Sequence, residues 1–180
     1  MLIIYSYSID KSMPDLRWPI RERQGFSDMK IHFPPARIED MEDILRMMKA
    51  FYEEEGYPFH RESRSANLLR LLDKPGLGRL WLVSADGNVA GYVVLGFGFS
   101  FEYHGRDAFI DELYIREEYR SKGLGRKTMA FVEDQAIGLG IHALHLEVEH
   151  GNAKARKLYQ ARGYAGKTRD MWTKWILPDG

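Results

Sequence analysis

The chain's 180 residues are enough for one well-filled core, and 26 lysines and arginines balance 26 aspartates and glutamates. This balance favours neither a polyanion nor a polycation as a partner, so we expect no nucleic-acid or membrane partner. The absence of cysteine excludes disulfides, thiolate metal ligands and cysteine nucleophiles, which leaves oxygen, nitrogen or a cofactor to carry the chemistry.

The first 28 residues show little amphipathic periodicity, whereas the pattern is regular from Ile31 onward. We therefore predict an N-terminal extension over residues 1–28 and a single domain over residues 29–180. The extension is interpreted as an added strand, an arm or a cloning extension. Its short apolar start lacks a basic leader and cannot span a bilayer, which favours a cytoplasmic protein.

The first half of the domain predicts one strand, two helices and a three-stranded meander. Residues 31–37 suit an edge strand, since Pro34 and Pro35 cannot donate hydrogen bonds. A helix capped by Asp40 and stopped by Gly56 follows, and residues 62–73 form a second helix. Apolar runs between residues 79 and 115 then indicate antiparallel hairpins, the first around residues 86 and 87.

The second half predicts a helix, a strand, a helix and a last pair of strands. The first helix begins near Leu124 and ends at Gly138 or Gly140, and the strand covers residues 141–148. Asn152 can cap a short helix through Arg162, and residues 164–176 supply two final strands. The element order predicts an α+β fold, a mixed sheet covered on both faces.

The turn RSKGLG, residues 120–125, joins the third meander strand to the following helix. Gly123 and Gly125 remove side chains where backbone amides can approach a ligand, and the helix start presents further unpaired amides. Basic residues crowd the same turn, which suits a pyrophosphate. The alternative is an ordinary strand-to-helix turn with a solvated basic face. The spacing fits neither a Walker loop nor a dinucleotide fingerprint.

Two stretches together resemble one family. The pattern R-x-x-G-x-G of residues 120–125 resembles the R/Q-x-x-G-x-G/A motif of the GNAT superfamily of acetyl-CoA-dependent N-acetyltransferases. The stretch NAKARKLYQARGY, residues 152–164, resembles that superfamily's second cofactor motif. The resemblance extends over residues 31–176. It implies a mostly antiparallel sheet of about seven strands with about four helices, in which two parallel strands splay apart at the cofactor.

The resemblance implies a site for acetyl-CoA. Backbone groups of Leu113 and Ile115 would pair with the pantetheine arm, and amides of residues 121–126 would hold the pyrophosphate. Asn152 would fix the arm from the other side, and Ala155 is small enough to let it pass. The implied cofactor-binding residues are Leu113, Tyr114, Ile115, Arg120, Ser121, Lys122, Gly123, Leu124, Gly125, Arg126, Asn152 and Ala155.

Acetyl transfer to an amine needs a base, an oxyanion donor and an acid for the departing thiolate. Tyr159 occupies the position of the family's general acid, although spacing alone fits an ordinary core tyrosine. A backbone amide of the strand over residues 111–115 would serve the oxyanion. Asp111 and Glu112 are the candidate carboxylates, and strand alternation predicts that they face opposite ways. Asp111 ranks first, because polyamine acetyltransferases, which this region also resembles, carry a catalytic carboxylate there. The alternative is that either carboxylate pairs with an arginine at the sheet edge.

The acceptor is expected to be an amine, either a small molecule or a peptide. The stretch FYEEEGYPFH, residues 51–60, offers an aromatic and acidic rim for a polyamine or aminoglycoside, although it equally fits a solvated helix end. The histidines form no convincing metal set. A noncatalytic acyl-CoA sensor is the alternative function. Trp172, Trp175 and residues 97–101 are apolar enough to suggest a homodimer, or are core.

Overall fold

One sheet of five strands organises the part of the protein that the computed structural model describes, residues 29–166 and 171–176. The strands follow chain order across the sheet, and every neighbouring pair is antiparallel except the last, which is parallel. The strands are β1 (Ile31–His32), β2 (Gly78–Ala85), β3 (Asn88–Ser100), β4 (Gly105–Ile115) and β5 (Ala143–His145).

Four helices connect these strands and cover both faces of the sheet. Two lie between β1 and β2 in the chain, one joins β4 to β5, and one follows β5. The helices are α1 (Met41–Glu55), α2 (Arg61–Asp73), α3 (Leu124–Gly138) and α4 (Ala153–Gln160), with single 3-10 turns at Ile38–Asp40 and Glu117–Tyr119. A mixed sheet with helices on both faces confirms the predicted α+β class.

Two hydrophobic clusters fix the helices to the sheet. On one face, residues of α1 and α2 pack against alternate residues of β2 and β3, with Ile44, Leu68 and Tyr92 among them. On the other face, Met129 and Val132 of α3 pack on the intervening residues. The period of two along the strands and of three to four along the helices therefore matches the predicted pattern.

The first hairpin of the meander is confirmed. Asp86 and Gly87 both have positive φ, at 50° and 83°, and they are the two residues between β2 and β3. A two-residue turn with positive φ at both positions has a backbone twist that matches the right-handed twist of the flanking strands. Asp-Gly between two apolar runs is therefore a strong hairpin signal.

A β-bulge interrupts β4 at Asp111. Val94 of β3 lies opposite Glu112, whereas the next residue, Leu95, lies opposite Ile110, so Asp111 has no partner in β3. The extra residue reverses the alternation: Ile110 packs with the α3 cluster, while Tyr114 packs with the α1 and α2 cluster. Without the bulge, these two residues would face the same way.

Several predicted element boundaries were wrong. β1 covers only Ile31–His32, and beyond it a single bridge joins Pro35 to Trp81. Asp40 precedes α1 but makes no side-chain cap; its carboxylate accepts from the amide of Arg37 at 2.8 Å. Prolines and a 3-10 turn thus replace the end of the predicted strand.

The C-terminal strands are also fewer than predicted. β5 has three residues rather than the predicted eight, because the chain leaves β4 after His145. Residues 164–166 and 171–176 contain no strand, and residues 167–170 lie outside the described part. The described sheet therefore has five strands instead of about seven.

Large apolar side chains are exposed at two places. Phe99 and Phe101 at the end of β3 are 71% and 91% exposed, and Trp172 and Trp175 are 90% and 79% exposed. These four are therefore not core residues in the described part, and a homodimer stays a prediction. The predicted extension, residues 1–28, lies outside the described residues. No helix in the described part is long and apolar enough to cross a membrane.

Candidate active site

The parallel strands β4 and β5 part midway along β4. Their pairing covers only Asp107 with Ala143, Ala108 with Leu144 and Phe109 with His145. Beyond Phe109, β4 continues to Ile115 with β3 on one side and no strand of the described residues on the other. An edge with unpaired amides and carbonyls can accept an extended ligand as an added strand.

Three predicted cofactor residues lie on this open stretch of β4. Leu113 packs toward α3, and Tyr114 packs toward α1 and α2. The carbonyl of Ile115 accepts a hydrogen bond from Nε of Arg120 at 2.7 Å. The end of the open edge is thus tied to the glycine turn that follows it.

The glycine turn leads directly into the start of α3. Gly123 has φ of +82° and precedes the helix, and no side chain caps this helix start. The first intrahelical bond runs from the amide of Lys127 to the carbonyl of Gly123 at 3.1 Å. The amides of Leu124, Gly125 and Arg126 therefore have no intrahelical acceptor, and they point out of the helix start as an anion site would require.

The basic residues of the turn have separate tasks. Nη2 of Arg120 donates to both carboxylate oxygens of Glu54 of α1, at 2.8 and 2.6 Å, and Lys122 donates to the carbonyl of Glu118 at 2.7 Å. Arg126 and Lys127 are exposed and have no ion pair within the described ranges. These two cations remain available to an anion at the helix start.

Asn152 precedes α4 as its predicted cap, and Ala155 lies in the first turn of this helix. The side-chain oxygen of Asn152 accepts from the amide of Ala155 at 3.0 Å, which makes Asn152 a true helix cap. Lys154, two residues after Asn152, donates to the hydroxyl of Ser121 in the predicted pyrophosphate turn at 3.1 Å. The two predicted cofactor motifs therefore meet in space.

Tyr159 of α4 lies on the α3 face of the sheet. It is half-buried, packs against the cluster that contains Ile110, and lines a cavity of about 750 Å³ between α3, β5 and α4. Burial raises the pKa of the Tyr159 phenol, so the hydroxyl holds its proton at neutral pH. The phenol therefore has a proton to donate, and the same burial makes it a weaker acid than a free phenol.

Asp111 and Glu112 line one small cavity on the opposite face. The prediction that they face opposite ways was wrong, because the bulge turns both toward α1 and α2. Asp111 is exposed at the cavity mouth, and desolvation by the surrounding protein still raises its pKa. The cavity has a volume of about 100 Å³ and is lined by Met48, Arg64, Asn67, Leu68, Leu71, Val94, Asp111 and Glu112.

Glu112 is held by two tyrosines. It is only 8% exposed, and its two carboxylate oxygens accept from Tyr52 at 3.0 Å and from Tyr92 at 2.8 Å. Burial raises the pKa of Glu112 more than these hydrogen bonds lower it. With both oxygens engaged, Glu112 is a fixed part of the cavity wall, whereas the carboxylate of Asp111 has no hydrogen bond to the described residues.

The raised pKa of Glu112 predicts how stability depends on pH. The folded chain holds this proton more tightly than the unfolded chain, so stability falls as pH rises from the unfolded carboxyl's pKa through the folded value. Replacing Glu112 with glutamine removes this loss, because the side-chain amide does not ionise, and its oxygen still accepts one tyrosine hydrogen bond. The free energy of unfolding of the variant should therefore rise relative to wild type as pH increases.

Urea unfolding at several pH values from about 4 to 8, which bracket ordinary and raised carboxyl pKa values, measures this difference. Glu147→Gln is the matched control, because Glu147 is exposed and outside the cavity. A difference between wild type and Glu112→Gln that stays constant with pH, like that of the control, would contradict the prediction.

Two members of this site were not predicted from the sequence. Tyr92 stands within the apolar run of β3, where a lone phenol among aliphatic residues is the signal that a buried polar partner exists. Arg64 looks like any exposed helical arginine in the sequence. The predicted acidic rim is partly committed elsewhere: Glu54 binds Arg120, and Glu53 binds Lys49.

The geometry agrees with comparison to known proteins. The profile of the acetyltransferase (GNAT) family matches residues 41–164, which is more than half of the chain. The chain belongs to the GNAT family. This membership confirms the resemblance drawn from residues 120–125 and 152–164, both of which fall within the matched region.

Named relatives of this GNAT protein are N-acetyltransferases. Over 140 residues it is 29% identical to a thialysine N-ε-acetyltransferase of Mus musculus, covering 71% of this chain and 80% of the relative. It is 35% identical over 86 residues to the Bos taurus enzyme of the same name, covering 46% of this chain. The matched region covers 51% of the length of the Bos taurus enzyme, about half.

Solved structures share the fold. An integron cassette protein from the mobile metagenome of Cole Harbour Salt Marsh superposes with a TM-score of 0.73 and 31% identity, covering 82% of this chain and 91% of that one. A predicted acetyltransferase from Clostridium acetobutylicum, solved with acetyl-CoA, superposes with a TM-score of 0.69 at 14% identity. It covers 81% of this chain and 96% of that one, and at this identity the likeness concerns the fold alone.

No group of three or more histidine, aspartate or glutamate residues in the described ranges could hold a metal ion. His145 instead lies 3.3 Å from the carboxylate of Asp107, which precedes by two residues its partner in β4, Phe109. His145 therefore belongs to the short parallel pairing of β4 and β5.

Proposed function

We propose that this GNAT protein is an acetyl-CoA-dependent N-acetyltransferase that acts on a primary amine by direct attack. The open edge of β4 carries the proposal. It has the unpaired amides of the α3 start at one end, Tyr159 on one face and Asp111 on the other. These features fit a long thioester ligand that enters along the edge while an amine approaches from the opposite face.

The chain offers a fitting contact for each part of acetyl-CoA. Amides of residues 124–126, with Arg126 and Lys127, would hold the pyrophosphate. The open backbone of residues 110–115 would pair with the pantetheine arm, with α4 on the other side of the gap. When bound, acetyl-CoA supplies an acetyl group activated as a thioester.

The remaining chemistry belongs to side chains of the two faces. Asp111 would accept a proton from the incoming ammonium, directly or through a water, because its carboxylate lies at the cavity mouth and has a raised pKa. A backbone amide of β4 would stabilise the charge that develops on the acetyl oxygen. Tyr159 would give its proton to the departing sulfur.

Small amines are the proposed acceptors. Thialysine, the substrate in the names of the murine and bovine relatives, carries such an amine. The acidic cavity suits a cation, and its small volume of about 100 Å³ favours a slender acceptor. A bulky aminoglycoside would have to remain largely outside.

The experiment that tests this function begins with calorimetric titration of acetyl-CoA, coenzyme A and adenosine diphosphate. Thiol release is then followed with diamines, polyamines, aminoglycosides, amino acids and peptides. We expect coenzyme A to bind more tightly than adenosine diphosphate, because the pantetheine arm contacts β4, and acetyl-CoA to be turned over with a small amine. Binding without turnover on every amine would favour an acyl-CoA sensor, and no binding would contradict the proposal.

Gly123 offers a separate test of the cofactor site. Its left-handed φ of +82° costs a residue with a side chain about 1–2 kcal/mol, so Gly123→Ala should destabilise the fold by that amount. It should also weaken acetyl-CoA binding by about tenfold, which corresponds to 1.4 kcal/mol, because the turn aims the helix amides. Calorimetry and urea unfolding measure the two effects.

Gly138→Ala is the matched control for this change. Gly138 ends α3 without a positive φ, and an added methyl group would meet no atom within 4 Å. Its replacement should leave binding unchanged and should not destabilise the helix. Equal acetyl-CoA affinity in the Gly123→Ala and Gly138→Ala proteins would rule out the turn as the pyrophosphate site.

A further inference from the structure

The acidic cavity also contains a cation. Arg64 of α2 lines it together with Asp111 and Glu112, and its guanidinium carbon lies 4.5 Å from the centre of the Tyr52 ring. Tyr52 in turn donates to Glu112. A half-buried guanidinium stacked on an aromatic ring is held in place without using its hydrogen-bond donors.

Those donors have no acidic partner in the described part of the chain. Several other arginines are ion-paired there, among them Arg61 with Glu42, Arg120 with Glu54 and Arg162 with Glu133. Arg64 is in no ion pair, although its positive charge partly offsets the rise that burial causes in the pKa values of Asp111 and Glu112. Glu112 is already engaged by its two tyrosines. The cavity therefore presents a positive group with unused donors beside a free carboxylate.

We propose that Arg64 binds a carboxylate of the acceptor, so that the preferred substrate is an amino-acid-like molecule carrying both an amine and a carboxylate. The proposal rests on the proposed acetyl transfer. The amine lies toward Asp111 and the carboxylate toward the guanidinium, which can accept it in bidentate fashion. The carbon chain between them lies over the apolar wall formed by Met48, Leu68, Leu71 and Val94.

This arrangement separates amino acids from polyamines of similar length. A diamine lacks the carboxylate, so its second ammonium group would meet the positive charge of Arg64 with no negative group beside it, and the donors of Arg64 would stay unpaired. Discrimination of this kind comes from repulsion of the wrong molecule as well as attraction of the right one. Arg64 is thus a specificity-determining residue, and the base remains Asp111.

Matched substrate pairs test the role of Arg64. Lysine and 1,5-diaminopentane differ only in the carboxylate, as do ornithine and 1,4-diaminobutane. Wild type should prefer each amino acid, and Arg64→Met should lower kcat/KM for the amino acids by about 10- to 100-fold, the range expected for losing a charged hydrogen bond. The same variant should leave the diamines unchanged or better used.

Two further variants complete the design. Arg64→Lys keeps the charge and should retain part of the amino-acid preference, which also guards against a variant that fails to fold. Arg70→Met removes an exposed arginine of the same helix outside the cavity and should behave as wild type. Thermal unfolding and acetyl-CoA affinity verify that each variant is intact.

The outcomes separate this inference from the proposed function. Binding of lysine and of 1,5-diaminopentane to the protein saturated with coenzyme A is measured by calorimetry, so the Arg64 test does not need turnover. Tighter binding of lysine that disappears in Arg64→Met supports the inference even when no acetyl transfer is found. Equal losses for both members of a pair, or no binding of either, would overturn it.

Discussion

Replacing Asp111 with asparagine should lower kcat/KM for amine acceptors by about 10²- to 10⁴-fold, the usual contribution of a general base. The amide is nearly the same size, so the bulge and the affinity for acetyl-CoA should persist. Wild-type kcat/KM should fall as pH drops through the raised pKa of Asp111, because the protonated carboxyl cannot accept a proton. This acid limb should be missing from the pH profile of the variant.

The control for Asp111 removes a carboxylate from another face. Asp134 lies on the exposed side of α3, outside the cavity that Asp111 lines. The Asp134→Asn protein should keep wild-type activity and the wild-type pH profile. Steady-state kinetics over a range of pH, with acetyl-CoA affinity measured separately, gives both comparisons. If the Asp111→Asn protein retains the acid limb, Asp111 is not the base, and the role belongs to Glu112 or to a water held elsewhere.

Tyr159→Phe should lower kcat by at least about 10²-fold, because it removes the proton offered to the leaving sulfur. Burial raises the pKa of this phenol and keeps it protonated, while the ring itself fills space in the α3 cluster. Phenylalanine preserves that ring, so stability and acetyl-CoA affinity should change little. Single-turnover measurements of thiol release separate the chemical step from product release.

Tyr164→Phe makes the same chemical change at a neighbouring site. The two rings lie 6.0 Å apart and line the same large cavity, and both phenols have pKa values raised by burial. We expect Tyr164→Phe to remain active, since only Tyr159 stands at the motif position of the acid. Similar losses in both variants would indicate that the cavity needs polar groups in general and would remove Tyr159 from its special role.

The sequence was sufficient for most of the fold and for the local elements that carry the proposed cofactor half of the site. Helical spacing in α1 and α3, the Asp86–Gly87 turn and the Asn152 cap are all local features, and local features are readable from neighbouring residues. The glycine turn and the α4 motif also lie within short stretches. Their meeting at Ser121 and Lys154 follows from the strand order that the motifs imply.

The acceptor half could not be predicted in the same way. Plain alternation placed Asp111 and Glu112 on opposite faces, because one extra residue in a strand has no clear signature in a single sequence. The hydrogen bonds from Tyr52 and Tyr92 to Glu112 join α1, β3 and β4 over 60 and 20 residues. The proposed role of Arg64 depends on the residues of β4 that face α2 across the cavity, and these are distant in the sequence.

The bulge at Asp111 also separates the chemistry of β4 from its core packing. Leu95 and Val94 of β3 are already paired with Ile110 and Glu112, so deletion of Asp111 would give a regular strand in which Ala108 and Ile110 keep the α3 face. Such a deletion would remove a carboxylate from the acceptor cavity and leave the alternation of the core intact. The strand therefore gains a functional side chain by inserting a residue, at no cost to the residues that pack beneath α3.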